Sequence, residues 1–350
     1  LGSVYHGSMM EFEAYSGGIG YWVVDGFDVD GTVQEQSGYH LGIDIRSMTN
    51  MTVRNCDVYN CWKTGIFPAF ADYALIANNT SHNNGEHGIY NCNSGDYGVN
   101  RLNVNHHNTG NGIQCNADVS AGGDGIMTGW LLERNTLYNN MNGFNFPGLV
   151  SSTIRNNLLY DNISKGFSIY GGEGALCANS LRILNNTVVM PLNAYFAIFM
   201  MDDMDPGPVG MRIFNNILYH YGDAQGTGII CAATRSFTDI QSDYNVVGNW
   251  FGVDDAAQTL TLAQWRSTYG LDIHSIQAAD TDLWNNPAAK DFTLKSTSPA
   301  KDAGTALDDV AEDITGMSRP QNSVFDIGCY EYVVEGMHDL DTTTTSLPDC

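Results

Sequence analysis

The stretch that decides the fold is "IRNNLLYDNISKGFSIY", residues 154–170. Its first half has the form apolar-x-x-Asn-x-apolar, and its second half is a short alternating segment led by Gly166. Alternation over so few positions is typical of short β-strands and differs from the spacing of an amphipathic helix. The stretch therefore predicts two short strands separated by a turn.

Copies of the first half recur through most of the chain. They are "VDGFDV", "VRNCDV", "IANNTS", "LNVNHH", "LERNTL", "IRNNLL", "ILNNTV", "IFNNIL" and "IQSDYN". Their fourth positions are Phe27, Cys56, Asn79, Asn105, Asn135, Asn157, Asn186, Asn216 and Asp243, at steps of 22 to 30 residues. A repeat of this length is the signature of a solenoid.

The glycine-led second half recurs with the same period. Its copies are "GIDIR", "GIFPA", "GIYNC", "GIQCN", "GFNFP", "GFSIY" and "GIICA". Several short strands in each repeat predict an all-β fold, a parallel β-helix of about nine coils. Stacked coils bring equivalent side chains about 4.8 Å apart, which predicts a buried ladder of amides. The predicted ladder consists of Asn79, Asn105, Asn135, Asn157, Asn186 and Asn216.

Residues 20–250 resemble the secreted right-handed parallel β-helix proteins of the pectate-lyase-like superfamily. The closing segment, "SPAKDAGTALDDVAEDITGMSRPQNSVFDIGCYEY" (298–332), is similar to the segment that ends bacterial members, with Cys329 where a small residue is usual. The resemblance implies a right-handed β-helix over 1–250, a C-terminal cap over 251–334 and a linker or tail over 335–350. It is specific for the fold and leaves the activity open, because enzymes and binding proteins share this fold.

Composition limits the partners. The chain of 350 residues has 15 basic and 39 acidic side chains, for a net charge of −24. Such an acidic protein lacks the basic face that nucleic acids require. No apolar run reaches the roughly 18 residues of a membrane span. Low lysine content and many Gly and Asn residues predict a secreted or extracellular bacterial protein, expected to be monomeric, whose signal peptide is absent from this chain.

The glycine-led strands predict a binding face. In "GIDIR", Ile43 and Ile45 should point inward, while Asp44 and Arg46 point outward. The first outward column is Asp44, Phe67, Tyr90, Gln114, Asn145, Ser168, Phe199 and Ile230, and the second is Arg46, Ala69, Cys92, Asn116, Pro147, Tyr170, Met201 and Ala232. The earlier and middle members of these columns are largely polar and include aromatic side chains. This combination suits an extended saccharide groove. The predicted substrate-binding residues are Asp44, Arg46, Gln114, Asn116, Lys165 and Tyr170.

The turns before these strands supply the candidate catalytic residues. Glu86 and His87 precede the outward Tyr90, and Lys63 occupies the same turn one coil earlier. Histidine has an unperturbed pKa of about 6.5, so its neutral form is abundant at neutral pH. We therefore expect His87 or Lys63 to take a proton from substrate while Tyr90 donates one to the leaving oxygen.

The resemblance and these residues together predict a polysaccharide lyase that cleaves a uronic-acid-containing polysaccharide by β-elimination. Asp96, Asp118 and Asp124 lie in the loops after the strands, and hard oxygen ligands of this kind predict Ca²⁺ as the cofactor. The alternatives are a glycoside hydrolase that uses two carboxylates such as Glu86 and Asp118, and a non-catalytic carbohydrate-binding or surface β-helix. The "GHG", "DPH" and "RxPxxR" motifs of familiar subfamilies are missing, so no catalytic role is transferred from them.

Overall fold

The computed structural model describes residues 7–18, 20–205, 207–222, 228–232, 239–254 and 256–333. These residues form a right-handed parallel β-helix, as the repeat predicted. Each coil contributes one strand to each of three sheets, which we call A, B and C in the order in which the chain meets them. Nine strands of sheet B lie in the described residues, so coils 1–9 are numbered by them and the predicted coil number is confirmed.

The strands are short, and their bounds follow the repeat. Sheet A contains Met10–Gly18, Ile43–Met48, Ile66–Ala69, Ile89–Cys92, Ile113–Asn116, Asn142–Pro147, Lys165–Tyr170, Phe196–Met200, Gly228–Ala232, Trp250–Val253 and the antiparallel Gln258–Thr261. Sheet B contains Val23–Asp25, Thr52–Arg54, Leu75–Ala77, Val99–Arg101, Leu131–Glu133, Thr153–Arg155, Arg182–Leu184, Arg212–Phe214 and Gln241–Asp243. Sheet C contains Asp28–Asp30, Asp57–Tyr59, Thr80–His82, Val104–His106, Thr136–Tyr138, Leu158–Tyr160, Thr187–Met190, Ile217–His220 and Val246–Val247.

A few further elements lie outside the three sheets. Met127–Thr128 pairs with Leu149–Val150, and Trp284–Asn286 pairs with Asp291–Leu294. The helices are Leu262–Tyr269 and Asp280–Leu283, and the 3₁₀ turns are Gly31–Val33, Val119–Ala121 and Pro287–Ala289. Within the described residues, no helix has the length and apolar character that crossing a bilayer requires.

The asparagine ladder runs through the turn between sheets B and C. Oδ1 of Asn157, for example, accepts hydrogen bonds from the backbone N–H (2.9 Å) and from Nδ2 (3.0 Å) of Asn135. Asn157 in turn donates both groups to Oδ1 of Asn186. Because each amide also reaches a strand carbonyl of the preceding coil, the ladder ties every coil to the one before it. The ladder is confirmed.

One predicted member of the ladder is wrong. Coil 4 contributes Asn103, which accepts from Asn79 and donates to Asn135, whereas Asn105 lies in a sheet C strand and points inward. The alignment slipped by two residues because Asn100 occupies the inward position that other coils fill with an apolar residue. A shift of two preserves the alternation of a strand, so the pattern could not reveal the slip. The same slip in coil 9 hid Asn245, which follows the inward Ser242.

A second ladder, which the sequence analysis missed, runs through the turn between sheet C and the next sheet A strand. It begins at the backbone N–H of Cys61 and continues through Asn84, Asn108, Asn140 and Asn162. In both ladders the residue before each ladder position has a positive φ, for example 54° at Asn139 in the second ladder and 54° at Asn156 in the first. Asparagine tolerates this left-handed conformation, which explains the frequent Asn-Asn pairs.

The C-terminal residues close one end of the solenoid and then run back along its side. The strand Trp250–Val253 still extends sheet A, and Trp265 of the helix stacks on Phe251 at 4.7 Å, which covers the last coil. Phe292 then packs against Tyr160 on the outward side of sheet C. In the closing segment, the side chain of Arg319 is fully buried, pairs with Glu331 at 2.6 Å and reaches Oδ1 of Asn156 in coil 6. The predicted tail over 335–350 lies outside the described residues.

Candidate functional site

The candidate site lies on the outward side of sheet A, across coils 2 to 7. The register places Asp44 beside Phe67, and Tyr90 beside Gln114 and then Asn145. The predicted outward columns are therefore confirmed as far as Phe199. In coil 9 the register differs from the prediction, because Ile230 pairs with Ile198 and is buried in the core.

The part of this face that lies on coils 2 to 4 is less polar than expected. Phe67, Ala69 and Cys92 are buried together with Leu41, and Tyr90 packs against this small apolar cluster. Phe67 meets Tyr90 edge to face, with 5.2 Å between the ring centroids. An apolar cluster of this kind shields the groups beside it from water, so charged side chains here need partners.

Asp44 and Arg46 form an ion pair beside the apolar cluster. Nε of Arg46 lies 3.0 Å from Oδ1 of Asp44, whose side chain is fully buried and also accepts a 3.1 Å hydrogen bond from Oγ of Ser8. Burial raises the pKa of Asp44, while the Arg46 charge lowers it. The guanidinium also stands 4.9 Å above the ring of Phe67. Arg46 is therefore held by the protein rather than presented to a substrate.

Lys63 and Glu86 also pair with each other. The ammonium of Lys63 contacts Oε1 of Glu86 across adjacent coils, and both side chains are about a third exposed. The ammonium of Lys63 is thus held by a carboxylate of the protein. This pairing weighs against Lys63 as the base and against Glu86 as a free carboxylate.

His87 accepts a hydrogen bond at the nitrogen that a base would use. The backbone N–H of Asn111 donates to Nδ1 of His87 at 3.0 Å. Burial lowers the pKa of His87 to about 4, with Glu86 raising it and Lys63 lowering it. The neutral ring therefore carries its proton on Nε2 and has no lone pair left for substrate. Its role as a base stays a prediction, and this geometry weighs against it.

Tyr90 belongs to a different group of residues than expected. Nδ2 of Asn116 donates to the hydroxyl of Tyr90 at 2.9 Å and to Oε2 of Glu173 at 2.8 Å. Burial raises the pKa of Tyr90 well above its usual range, so its phenol stays protonated. Glu173 is exposed and comes from the loop after the coil 7 strand. The sequence analysis left it out of the site; its position in "YGGEGA", directly after a glycine-led strand, was the available signal.

The loop that carries Glu173 is fixed from two sides. Asp203 accepts hydrogen bonds from the backbone N–H groups of Gly171 and Gly172, at 2.7 and 2.8 Å. The backbone N–H of Val119 donates to the carbonyl oxygen of Glu173 at 3.0 Å. The carboxylate of Glu173 is thereby held at the face by contacts with two other loops.

Neutral amides fill the middle of the face. Oε1 of Gln114 accepts from Asn111 at 2.6 Å and from Asn145 at 3.2 Å, and Asn145 also donates to the hydroxyl of Tyr170 at 3.1 Å. Gln114, Asn116 and Asn145 are buried, with 3 to 8% of each residue exposed, so only a small part of each amide is open to solvent. Lys165 lies at the lower end, 4.8 Å from the ring of Phe199.

Each of the three predicted calcium ligands accepts a hydrogen bond from a backbone N–H. Asp118 caps a 3₁₀ turn by accepting from Ser120 at 2.7 Å, Asp124 accepts from the N–H of Ile126 at 3.0 Å, and Asp96 accepts from the N–H of Thr128 at 2.8 Å. Among the residues the structure describes, no group of three or more His, Cys, Asp or Glu side chains has the arrangement of a metal site. Ca²⁺ as the cofactor therefore stays a prediction, and this arrangement weighs against it.

The comparison with family models agrees with the architecture. A family model for the right-handed β-helix region matches residues 28–122. No curated protein matches the chain. Among solved structures, the A-module of mannuronan C-5 epimerase AlgE6 from Azotobacter vinelandii is 18% identical, with a TM-score of 0.48, and the match covers 69% of this chain and 61% of that one. The pectate lyase Pel9A is 13% identical, with a TM-score of 0.49, over 88% of this chain and 76% of that one.

The chain spans about three-fifths of the AlgE6 A-module. The match to a second such module, AlgE4 from the same organism, covers 62% of that module's length. At this identity the comparisons leave the activity unassigned.

Proposed function

We propose that this protein is carbohydrate-active and that the outward side of sheet A binds a polysaccharide chain running across the coils. The observation that carries the proposal is the row of neutral hydrogen-bonding groups in Tyr90, Gln114, Asn116, Asn145 and Tyr170. Sugar hydroxyls donate and accept, and amides and phenols do both. Aromatic rings at the same face add stacking surfaces for pyranose rings.

The charges of the face favour an uncharged polysaccharide. Arg46 pairs with Asp44, and Lys63 pairs with Glu86, while Glu173 and Asp203 are exposed carboxylates. The net charge of −24 adds a general repulsion for polyanions. The proposed substrate class therefore differs from the uronate polymer expected from the sequence.

An uncharged glycan lacks the acidic α-proton that β-elimination needs, so the proposed reaction is hydrolysis. Glu173 is the carboxylate that the geometry offers, because it is exposed and touches Asn116 beside Tyr90. Asp118 precedes Val119, which hydrogen-bonds the backbone of Glu173, and supplies the second carboxylate that glycosidases use. In this proposal Glu173 replaces Glu86 of the sequence-based alternative.

A lyase remains the second candidate function, and one observation favours it. Nη2 of Arg46 is buried and has no hydrogen-bond partner among the described protein atoms. A uronate carboxylate that displaced the covering side chains would find a donor there.

The test is a panel of uncharged and acidic polysaccharides, each with Ca²⁺ or with EDTA. Binding is measured by affinity electrophoresis, hydrolysis by new reducing ends, and elimination by the ultraviolet absorbance of unsaturated products. Reducing ends from an uncharged glycan support the proposal. Unsaturated product from an acidic polymer supports the second candidate, and calcium dependence would restore the predicted cofactor. Absence of binding to every polymer overturns both.

A further inference from the structure

The interior of coil 4 contains three asparagine side chains that belong to neither ladder. Asn91 comes from sheet A, Asn100 from sheet B and Asn105 from sheet C, and each is fully buried. Each occupies the inward position of its strand, so the three project into the interior from three sides of one coil. They form what we call the coil 4 amide layer.

The coils on either side are apolar at most of the same positions. Asn100 lies between Ile76 and Leu132 in the register of sheet B. In sheet C, Asn105 lies between Ser81 and Leu137. The amide layer is thus a polar disc within a hydrophobic interior.

Most of the polar atoms in this layer have no partner. Both side-chain atoms of Asn100, both of Asn105 and Oδ1 of Asn91 are buried without a hydrogen bond to any described protein atom. Nδ2 of Asn91 makes only long contacts, 3.4 Å each, to the carbonyl oxygen of Gln114 and to Sγ of Cys115. Buried amides without partners cost free energy, and native proteins satisfy them with protein groups or ordered water.

We propose that Asn91, Asn100 and Asn105 together form an internal binding site for water inside coil 4. A buried water makes about three hydrogen bonds, so five open amide atoms suit about two molecules. Water fits because it donates and accepts, as the amides do. An ion fits poorly, because the surrounding side chains are neutral and transfer of a bare charge into such an interior is very costly. Burial raises the pKa of the Cys115 thiol to about 12, so it brings no charge.

The first test is a stability cycle with Asn100→Leu, Asn105→Leu and the double variant. Leucine fits because Leu132 and Leu137 occupy the same positions one coil later. If the two amides share water, each single variant leaves the water and the remaining amide short of a hydrogen-bond partner. Tm then falls by about 2–4 °C or more. The double variant removes the shared site, so its loss in Tm is well below the sum of the losses of the two single variants.

Ile154→Asn serves as the matched control, because Ile154 is buried two coils from the layer, between the apolar Leu132 and Ile183, so a single amide there should lower Tm. A rise in Tm for each single Asn→Leu variant would mean that the amides are dry, and strictly additive losses would mean that they share nothing. Either result overturns the proposal.

The second test is a high-resolution crystal structure of the whole protein, with rubidium and bromide soaks. Solvent peaks within about 2.7–3.2 Å of at least two of the three amides support the proposal. Anomalous peaks at the layer would identify an ion instead of water, and direct amide–amide hydrogen bonds or empty density would mean that no ligand is held. Each of these three results overturns it.

Discussion

The backbone N–H of Asn111 donates a 3.0 Å hydrogen bond to Nδ1 of His87, one coil earlier in the stack. This contact ties His87, which lies in the turn before the coil 4 strand, to the turn before the coil 5 strand. The candidate site therefore moves from the charged turn at His87 to Tyr90, Asn116 and Glu173, which meet on the open side of sheet A.

The first prediction concerns His87. His87→Ala leaves the N–H of Asn111 without its acceptor, and we expect a loss of about 1–3 kcal/mol in the free energy of unfolding. The folded pKa of about 4 lies below the unfolded value, so the stabilisation is complete above pH 6.5 and is lost as the pH falls towards 4. Urea unfolding at several pH values measures both effects. A variant that keeps its stability but loses turnover would restore His87 as the base.

The second prediction concerns His106 in a stack of rings on the outward side of sheet C. His106 lies 4.8 Å from His82 and 4.7 Å from Tyr138, with nearly parallel planes. Burial, and secondarily His82 and His107, lower the pKa of His106 to about 4. Its contribution to stability is therefore complete above pH 6.5 and declines as the pH falls towards 4.

His106→Tyr should keep this stack, because Tyr138 and Tyr160 already stack in the next two coils. We expect the variant to match the wild type in Tm at pH 8 and to exceed it at pH 5. Equal pH profiles for the two proteins would contradict the assigned cause.

The third prediction concerns the first ladder. Asn157→Leu removes the acceptor for two N–H groups of Asn135 and the donor to Asn186. We expect a loss of at least about 1–3 kcal/mol, since buried polar groups of both neighbours lose partners. Asn322→Leu, at an exposed position, is the control for the substitution itself. A loss of a few tenths of a kcal/mol would mean that the ladder contributes little to stability.

The fourth prediction concerns Glu173. Glu173→Gln keeps an oxygen that accepts from Asn116 and removes the charge, so we expect Tm to be unchanged and turnover on the best polysaccharide of the panel to fall about 10²-fold or more. Glu13→Gln is a matched control, because Glu13 is an exposed carboxylate in the coil 1 strand of the same sheet. Full activity in Glu173→Gln would remove the carboxylate from the mechanism.

The sequence alone determined the solenoid, the outward columns of sheet A as far as Phe199 and most of the first ladder. It could do so because a strand alternates with a period of two and equivalent positions recur in every coil, so local pattern carries the information. The two errors in the alignment of the repeat, at Asn105 and Asp243, arose where a polar residue at an inward position disguised the start of the repeat.

Only the tertiary structure decided which groups meet. Glu173 reaches Asn116 from 57 residues away, and Arg319 reaches Asn156 from 163 residues away, along loops that do not follow the repeat. The pairing of Arg46 with Asp44 and of Lys63 with Glu86 likewise changed the candidate chemistry, because an ion pair depends on side-chain direction and burial. Periodicity fixes the face on which a residue lies, whereas the partners of its side chain are fixed by how loops and neighbouring coils pack in three dimensions.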